Sequence, residues 1–381
     1  MVGSANRGRV LEALFDLGPT SRAELARKAG VNRTTISGIV QSLVDRQILA
    51  EGESSPSGEV GGKPARPLWF SPVAQPICGV VLMPGTVRAG LVTLSGTVSA
   101  EESRPIPTHE CSRDEVLASI EHAIEAVLRQ AHRAPLGIGI AAGGMVDTDR
   151  RLVVTSNLAP VLDRLPLGTA LEQRFGLPVA LDHHPRALLV GDRWFGKGRG
   201  LRDCAAIYTG EVLGGALYLD GHLRRGAFGA GGELGHTFVQ VGGDLCSCGR
   251  RGCWDTIATL GWLRRQSETA GLPDPESMTS ARLLAAAGNA QTDVLFARYA
   301  HNIAVGIANL QQIVAPDTFI LHGDVVEGGE RARQAVAQHV ADLVPARPGV
   351  EIRIELGTPG EEAALLGAAG LVLSSLLQFP L

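Results

Sequence analysis

The sequence predicts an α/β protein with a small helical head, and three observations carry that prediction. Residues 5–49 place apolar side chains at helical spacing between cap and turn residues. Residues 51–66 are rich in Gly, Ser and Pro and lie between two short apolar runs. From residue 78 onward, strand-like runs alternate with helical stretches. The chain has 381 residues, enough for two or three domains, and its 45% hydrophobic and 19% charged content excludes wholesale disorder.

In the head, Leu11, Leu14 and Phe15 give a first helix its apolar stripe. After Gly18-Pro19, Ser21 with Glu24 three residues on reads as a capping box. It opens a second helix, about 22–29, that buries Leu25 and Ala26 and stops at Gly30. Asn32 then caps a third helix, whose Ile36, Ile39, Val40, Leu43 and Val44 recur at helical spacing. The first turn of that helix offers Arg33, Thr34, Thr35 and Ser37 to solvent. A helix, a glycine turn and a second helix make the pattern whose second helix enters a major groove, although plain three-helix bundles share such caps. The next residues favour the groove reader. Ile48-Leu49 and Leu68-Trp69-Phe70 read as strands around a tip that carries Lys63 and Arg66, a wing able to reach phosphate or a minor groove. The predicted DNA-contacting set is Arg33, Thr34, Thr35, Ser37, Lys63 and Arg66, with phosphate contact and base readout both open for Arg33. Residues 1–70 hold nine Lys/Arg against seven Asp/Glu, while the whole chain carries -4, a weak asymmetry in the same direction.

In the body, strands are expected near 77–82, 137–141, 205–208 and 319–321, and helices near 113–131 and 293–313. The apolar run 363–377 is broken by Gly367, Gly370, Ser374 and Ser375 and reads as a buried helix, not a membrane span. The first nine residues lack the apolar run of a secretory signal, so a cytoplasmic protein is expected. Residues 78–381 suffice for two lobes with a cleft between them. The strongest motif is His236 followed by Cys246, Cys248 and Cys253. One imidazole and three thiolates supply the four ligands of a structural zinc, and Gly249 and Gly252 let the loop fold back. A disulfide and free thiols are the other readings, the first disfavoured in a cytoplasmic chain. Cys78, Cys111 and Cys204 stand alone.

The run Gly-Gly-Glu233-Leu-Gly-His236 followed by Cys246-x-Cys248-Gly-x-x-Gly-Cys253 closely resembles the signature of the ROK family of repressors, open reading frames and kinases. The resemblance covers nearly the whole chain. It implies a winged helix-turn-helix over residues 1–72 and a two-lobed actin-like, sugar-kinase-type (ribonuclease H-like) ATPase fold over 76–381, with a zinc loop at 236–253. The run Leu365 to Ala369 fits the end of that body. The kinase members lack the head, so its presence implies a regulator.

Departures from the family pattern bear on activity. Where the kinases have Asp-x-Gly-Gly-Thr, this chain has Val81-Leu82-Met83-Pro84-Gly85. It therefore lacks the carboxylate, and Pro84 has no N–H for phosphate. A second phosphate loop is replaced by Gly210-Glu211-Val212-Leu213-Gly214, with Glu211 expected beside the phosphate. His184 stands where the family has its catalytic Asp, in Asp182-His183-His184-Pro185-Arg186. Histidine can act as a base, so the combined losses, not this one, predict that phosphoryl transfer is gone. By resemblance, the ligand cleft would be formed by Asn157, His183, His184, Glu233, His236 and Asp255. Two imidazoles with Arg186 suit an anionic sugar derivative, a neutral sugar would bind in a rearranged pose, and the remaining readings are a non-sugar ligand or none, with a solvated His183-His184-Pro185 loop.

The sequence thus predicts a regulator, not an enzyme, with a structural zinc and double-stranded DNA as partner. Its operator would be pseudo-palindromic, it would form a dimer or a tetramer, and a sugar or sugar phosphate would be its effector. The rival readings are a ligand-independent regulator whose body only oligomerises, and an active sugar kinase with an appended head.

Overall fold

In a computed structural model, residues 2–53, 66–106, 111–156, 160–286, 288, 290–347, 349 and 351–376 are described, with side chains from residue 6. The head comprises α1 (Val2–Leu17), β1 (Thr20–Ser21), α2 (Arg22–Ala29), α3 (Arg33–Asp45), β2 (Leu49–Glu51) and β3 (Pro67–Phe70). Ser21 caps α2 by accepting from the Glu24 N–H at 3.2 Å. The Glu24 carboxylate accepts from Thr20 Oγ1 at 2.7 Å, so only half of the expected capping box forms. Gly30 ends α2 in the left-handed region at φ 63°, as its position after Ala29 required. The predicted strands pair antiparallel, Leu49 opposite Phe70, and the two-residue β1 adds a third strand that the sequence did not announce. Val10, Leu14, Leu25, Ile36, Val40 and Leu43 form the head's core.

The first lobe contains β4 (Ile77–Met83), β5 (Thr86–Val92), β6 (Val98–Pro105), α4 (Arg113–Leu128), β7 (Ile138–Ala142), β8 (Met145–Asp147), β9 (Leu152–Thr155), α5 (Leu167–Phe175) and β10 (Val179–His183). Helix α6 (His184–Phe195) leads into the second lobe. That lobe contains β11 (Cys204–Thr209), β12 (Leu213–Leu219), β13 (His222–Leu223), α7 (Leu260–Thr269), α8 (Ser280–Ala285), α9 (Ala290–Ile313), β14 (Thr318–Gly323), α10 (Asp324–Glu327), α11 (Gly329–Leu343) and β15 (Arg353–Leu356), and α12 (Glu362–Leu376) closes the chain. The two main sheets have one topology. In each, an antiparallel meander is extended on the side of its first strand by two parallel strands, giving the orders β10-β7-β4-β5-β6 and β15-β14-β11-β12-β13.

Helices α6 and α12 pack between these sheets, and small residues set the distance. A Cβ on Gly139 of β7 would lie 1.8 Å from the Ala368 carbonyl oxygen, so α12 rests directly on the sheet backbone. A Cβ on Gly191 of α6 would lie 2.8 Å from the Gly367 nitrogen, so the two helices touch backbone to backbone. The Leu-Leu-Gly-Ala-Ala run is therefore the seam of the body. Two buried polar contacts fix α6 in this layer. Trp194 Nε1 donates to Ser374 Oγ of α12 at 2.8 Å, and His322 of β14 pairs with Asp192 at 2.7 Å.

The head rests on the C-terminal end of α6. Phe15 packs its ring at 4.2 Å from Phe70, 4.8 Å from Trp194 and 5.6 Å from Phe195, and Arg193 pairs with Glu12 at 3.5 Å. Phe15, read from the sequence as part of the head's own stripe, is thus shared with the core of the body.

Candidate DNA-reading helix, ligand cleft and metal-donor cluster

Helix α3 presents its N-terminal turn to solvent. Asn32 Oδ1 caps it by accepting from the Thr35 N–H at 2.8 Å, and Ile36 and Val40 turn inward. Arg33, Thr34 and Ser37 are exposed, Thr35 is half-buried, and Ser37 Oγ donates back to the Arg33 carbonyl at 2.9 Å. Gly38 and Gln41 continue this exposed face, a continuation that spacing three and four residues beyond Thr34 and Ser37 would have found. Arg66 stands exposed just before β3, and Lys63 lies outside the described residues.

A cavity of about 280 Å³ opens between the lobes. Of the expected ligand residues it is lined by His183, His184, Glu233, His236 and Asp255, which β10, α6 and the loops following β13 bring together. Asn157 lies outside the described residues. His183 ends β10 and His184 opens α6, both buried, so the solvated-loop alternative does not hold. The His184 ring meets Tyr208 edge-on at 4.9 Å. Burial, with nearby His322, pushes its pKa down to about 4, and burial, with Arg186 and His184 alongside, holds His183 well below its usual range. Both rings are therefore neutral at neutral pH.

Arg186 is not available to a ligand. It is fully buried, pairs with Asp182 at 2.8 Å and donates to the Val146 and Gly229 carbonyls at 3.2 Å each. Arg225, beyond β13, holds the other Asp182 oxygen at 2.8 Å. Asp182, Arg186 and Arg225 thus tie the two lobes together behind the cleft, and no Lys or Arg is among the described residues lining it. Glu211 also departs from expectation: it turns out to Arg264 at 2.8 Å and stays clear of the cleft. Asp255 is partly engaged, accepting from the Leu213 N–H at 2.7 Å, which ties the 210–214 loop to the Cys loop. Burial raises the Glu233 pKa against the pull of His236 and Arg186.

The fourfold donor set also assembles. The ligand atoms of His236, Cys246, Cys248 and Cys253 all lie within 4.8 Å of one another. Cys248 Sγ and Cys253 Sγ are 3.6 Å apart, as are Cys246 Sγ and His236 Nδ1. Tetrahedral ligands at a metal–sulfur distance of about 2.3 Å stand ~3.7 Å apart, so the residues fit one ion. Positive φ at Gly249 (81°) and Gly252 (79°) makes the chain reversal.

A second cavity, about 230 Å³, lies behind Met83, His184 and Tyr208, which line both. Arg88 and His322 line it, and Arg88 is ion-paired with Glu101 and Glu361. Sequence reasoning missed these residues because no local motif marks them.

Comparison with known proteins places this geometry. The ROK family profile matches residues 83–375. A xylose repressor of Caldicellulosiruptor bescii is 26% identical over 98% of this chain and 97% of its own. A crystal structure of a ROK family transcriptional regulator, described as a homologue of the Escherichia coli Mlc protein, aligns with a TM-score of 0.80 at 23% identity, covering 99% of this chain and 97% of that one. A ROK family glucokinase from Streptomyces griseus, solved with glucose and AMPPNP, aligns with a TM-score of 0.68 at 27% identity, covering 77% of this chain and 98% of that one.

Proposed function

The chain belongs to the ROK family, and from that premise we propose that it is a sugar-responsive transcriptional repressor whose body no longer transfers phosphoryl groups. The observation that carries the proposal is the exposed first turn of α3, with Arg33, Thr34 and Ser37 held outward by the Asn32 cap. The xylose repressor's coverage of 98% of this chain, head included, supports it. Residues 1–72 would bind DNA and residues 76–381 would bind ligand and oligomerise. One head spans few base pairs, so two or four copies would share a pseudo-palindromic operator, with Thr35, Lys63 and Arg66 adding contacts. Among the described residues no helix is long and apolar enough to cross a membrane, in keeping with a cytoplasmic regulator.

The four donors suit zinc. Four protein ligands leave no open position, so the ion would hold the 236–253 loop and present Glu233 and Asp255 to the cleft. Kinase activity is disfavoured by Met83 and Pro84 in place of a phosphate cradle and by His184, which at a pKa of about 4 is a weak base. With neutral imidazoles and Arg186 consumed, the cleft suits an uncharged sugar better than a sugar phosphate.

The test is a footprint of the purified, zinc-loaded chain on its own upstream DNA. Two protected half-sites about one or two helical turns apart are expected, and Arg33→Ala should weaken binding about tenfold or more. An unprotected footprint in folded protein, or ATP-dependent phosphorylation of a sugar, would overturn the proposal.

A further inference from the structure

The cleft carries both polar groups and an apolar patch. The second lobe contributes Glu233 and Asp255, and β10 contributes His183, whose buried Nδ1 has no hydrogen-bond partner among the described residues. The first lobe contributes an apolar patch of Met83, Pro84 and Met145 around the backbone of Gly143 and Gly144, with Thr155 and Ser156 at its edge against Gly144. A Cβ added at Gly143 would lie 3.3 Å from Met83 Sδ and 3.4 Å from Pro84 Cδ, so those two side chains cover that backbone. Val212, from the other segment that has departed from a phosphate loop, lines the same cavity. Both former phosphate segments therefore converge on one space, and both bring apolar side chains to it.

A sugar alone would leave that wall facing water or facing hydroxyls it cannot bond. Apolar surface of this kind favours an apolar ligand group, and two flexible methionines can adapt to its shape. We propose that the cleft binds a neutral O-glycoside with an aryl or alkyl aglycone. Its sugar hydroxyls meet Glu233, Asp255 and His183, and its aglycone lies against Met83, Pro84 and Met145. The inference deepens the sugar-responsive function proposed above and rests on it. A phosphate is disfavoured in the aglycone's place, because no Lys or Arg is among the described residues lining the space and Pro84 offers no N–H.

Calorimetric titration of the full zinc-loaded chain tests this with phenyl and methyl β-D-xylopyranoside, phenyl and methyl β-D-glucopyranoside, and glucose 6-phosphate. Each buried methylene is worth about fourfold in affinity, so in at least one sugar series the phenyl glycoside should bind ten- to a hundredfold tighter than the methyl one. Met83→Gln and Met145→Gln, both at half-buried positions, should remove most of that phenyl-to-methyl ratio. Equal affinity for phenyl and methyl glycosides would sink the aglycone site and leave the sugar site standing. Tighter binding of glucose 6-phosphate would overturn both the neutral-ligand assignment and the apolar one. Silence from all five probes, in protein that still binds its operator, would overturn the sugar-responsive function and the glycoside together, while leaving DNA binding intact.

Discussion

His184 shows how far single residues can be read from sequence and where burial takes over. Family resemblance placed it at the cleft, and the structure puts it there. Its charge state was not legible, because that depends on burial and on His322 of β14, both supplied by tertiary packing. A base whose folded pKa of about 4 lies below its unfolded 6.5 takes a proton more readily when unfolded. Its contribution is therefore complete above about pH 6.5, falls as pH drops through that window, and is fully lost near pH 4. By pH 5 the loss attributable to this residue is roughly 2 kcal/mol. Urea unfolding at pH 7.5 and pH 5 should show wild type losing more stability than His184→Gln by about that amount. The same loss in both proteins would mean that His184 is not the group held neutral. Arg186 teaches the same lesson. As a sequence neighbour it looked like a ligand for anions, and in the fold it is the buried tie between the lobes.

At the scale of elements, legibility followed local chemistry. Asn32, Gly30 and the helical spacing of Ile36, Val40 and Leu43 specified α2 and α3 because caps and amphipathic faces act within a few residues. The Ser112–Glu115 box, which the sequence also contains, forms completely at the start of α4 and was missed, whereas the Ser21–Glu24 box forms by half because Thr20 competes for the carboxylate. Strand β1 escaped notice because two residues carry no period. The 236–253 segment is held by turn and bridge hydrogen bonds and not by a regular strand ladder. It has isolated bridges at Phe238–Cys253 and Leu245–Arg251, and it exposes Phe238, Val241 and Leu245. Metal ligation is expected to hold it. Cys248→Ala should cut bound zinc from about one ion per chain to a small fraction, measured by atomic emission, and should open the loop to trypsin at Arg250 and Arg251. Operator binding should weaken as well. Full zinc occupancy in this variant would remove the metal from the account of the loop.

At the scale of the whole molecule, the two-lobed body was legible only through family resemblance, and the duplicated sheet order and the helix layer between the sheets were not read at all, since strand order is set by pairing across the chain and not by local pattern. That layer gives the cleft a physical route to the head. Helix α6 starts with His184 at the ligand cavity and ends with Trp194 and Phe195 against Phe15, so one rigid element of 12 residues touches both. It is wedged against α12 by Gly191 and Gly367 and tied to β14 through Asp192, so a ligand-driven closure of the lobes at one end would be carried to the other. Coupling of this kind is reciprocal: the factor by which a glycoside changes operator affinity is the factor by which operator changes glycoside affinity. In wild type that factor should be about fivefold or more, corresponding to at least ~1 kcal/mol. Phe15→Leu keeps the junction apolar but removes the ring contacts to Trp194 and Phe195, at a stability cost of about 1–2 kcal/mol. Each ligand should still bind the variant alone, because neither α3 nor the cleft is touched, and the coupling factor should fall toward one. A factor unchanged by Phe15→Leu would exclude α6 as the route. A wild-type factor of one would mean that the head reads DNA without hearing from the cleft.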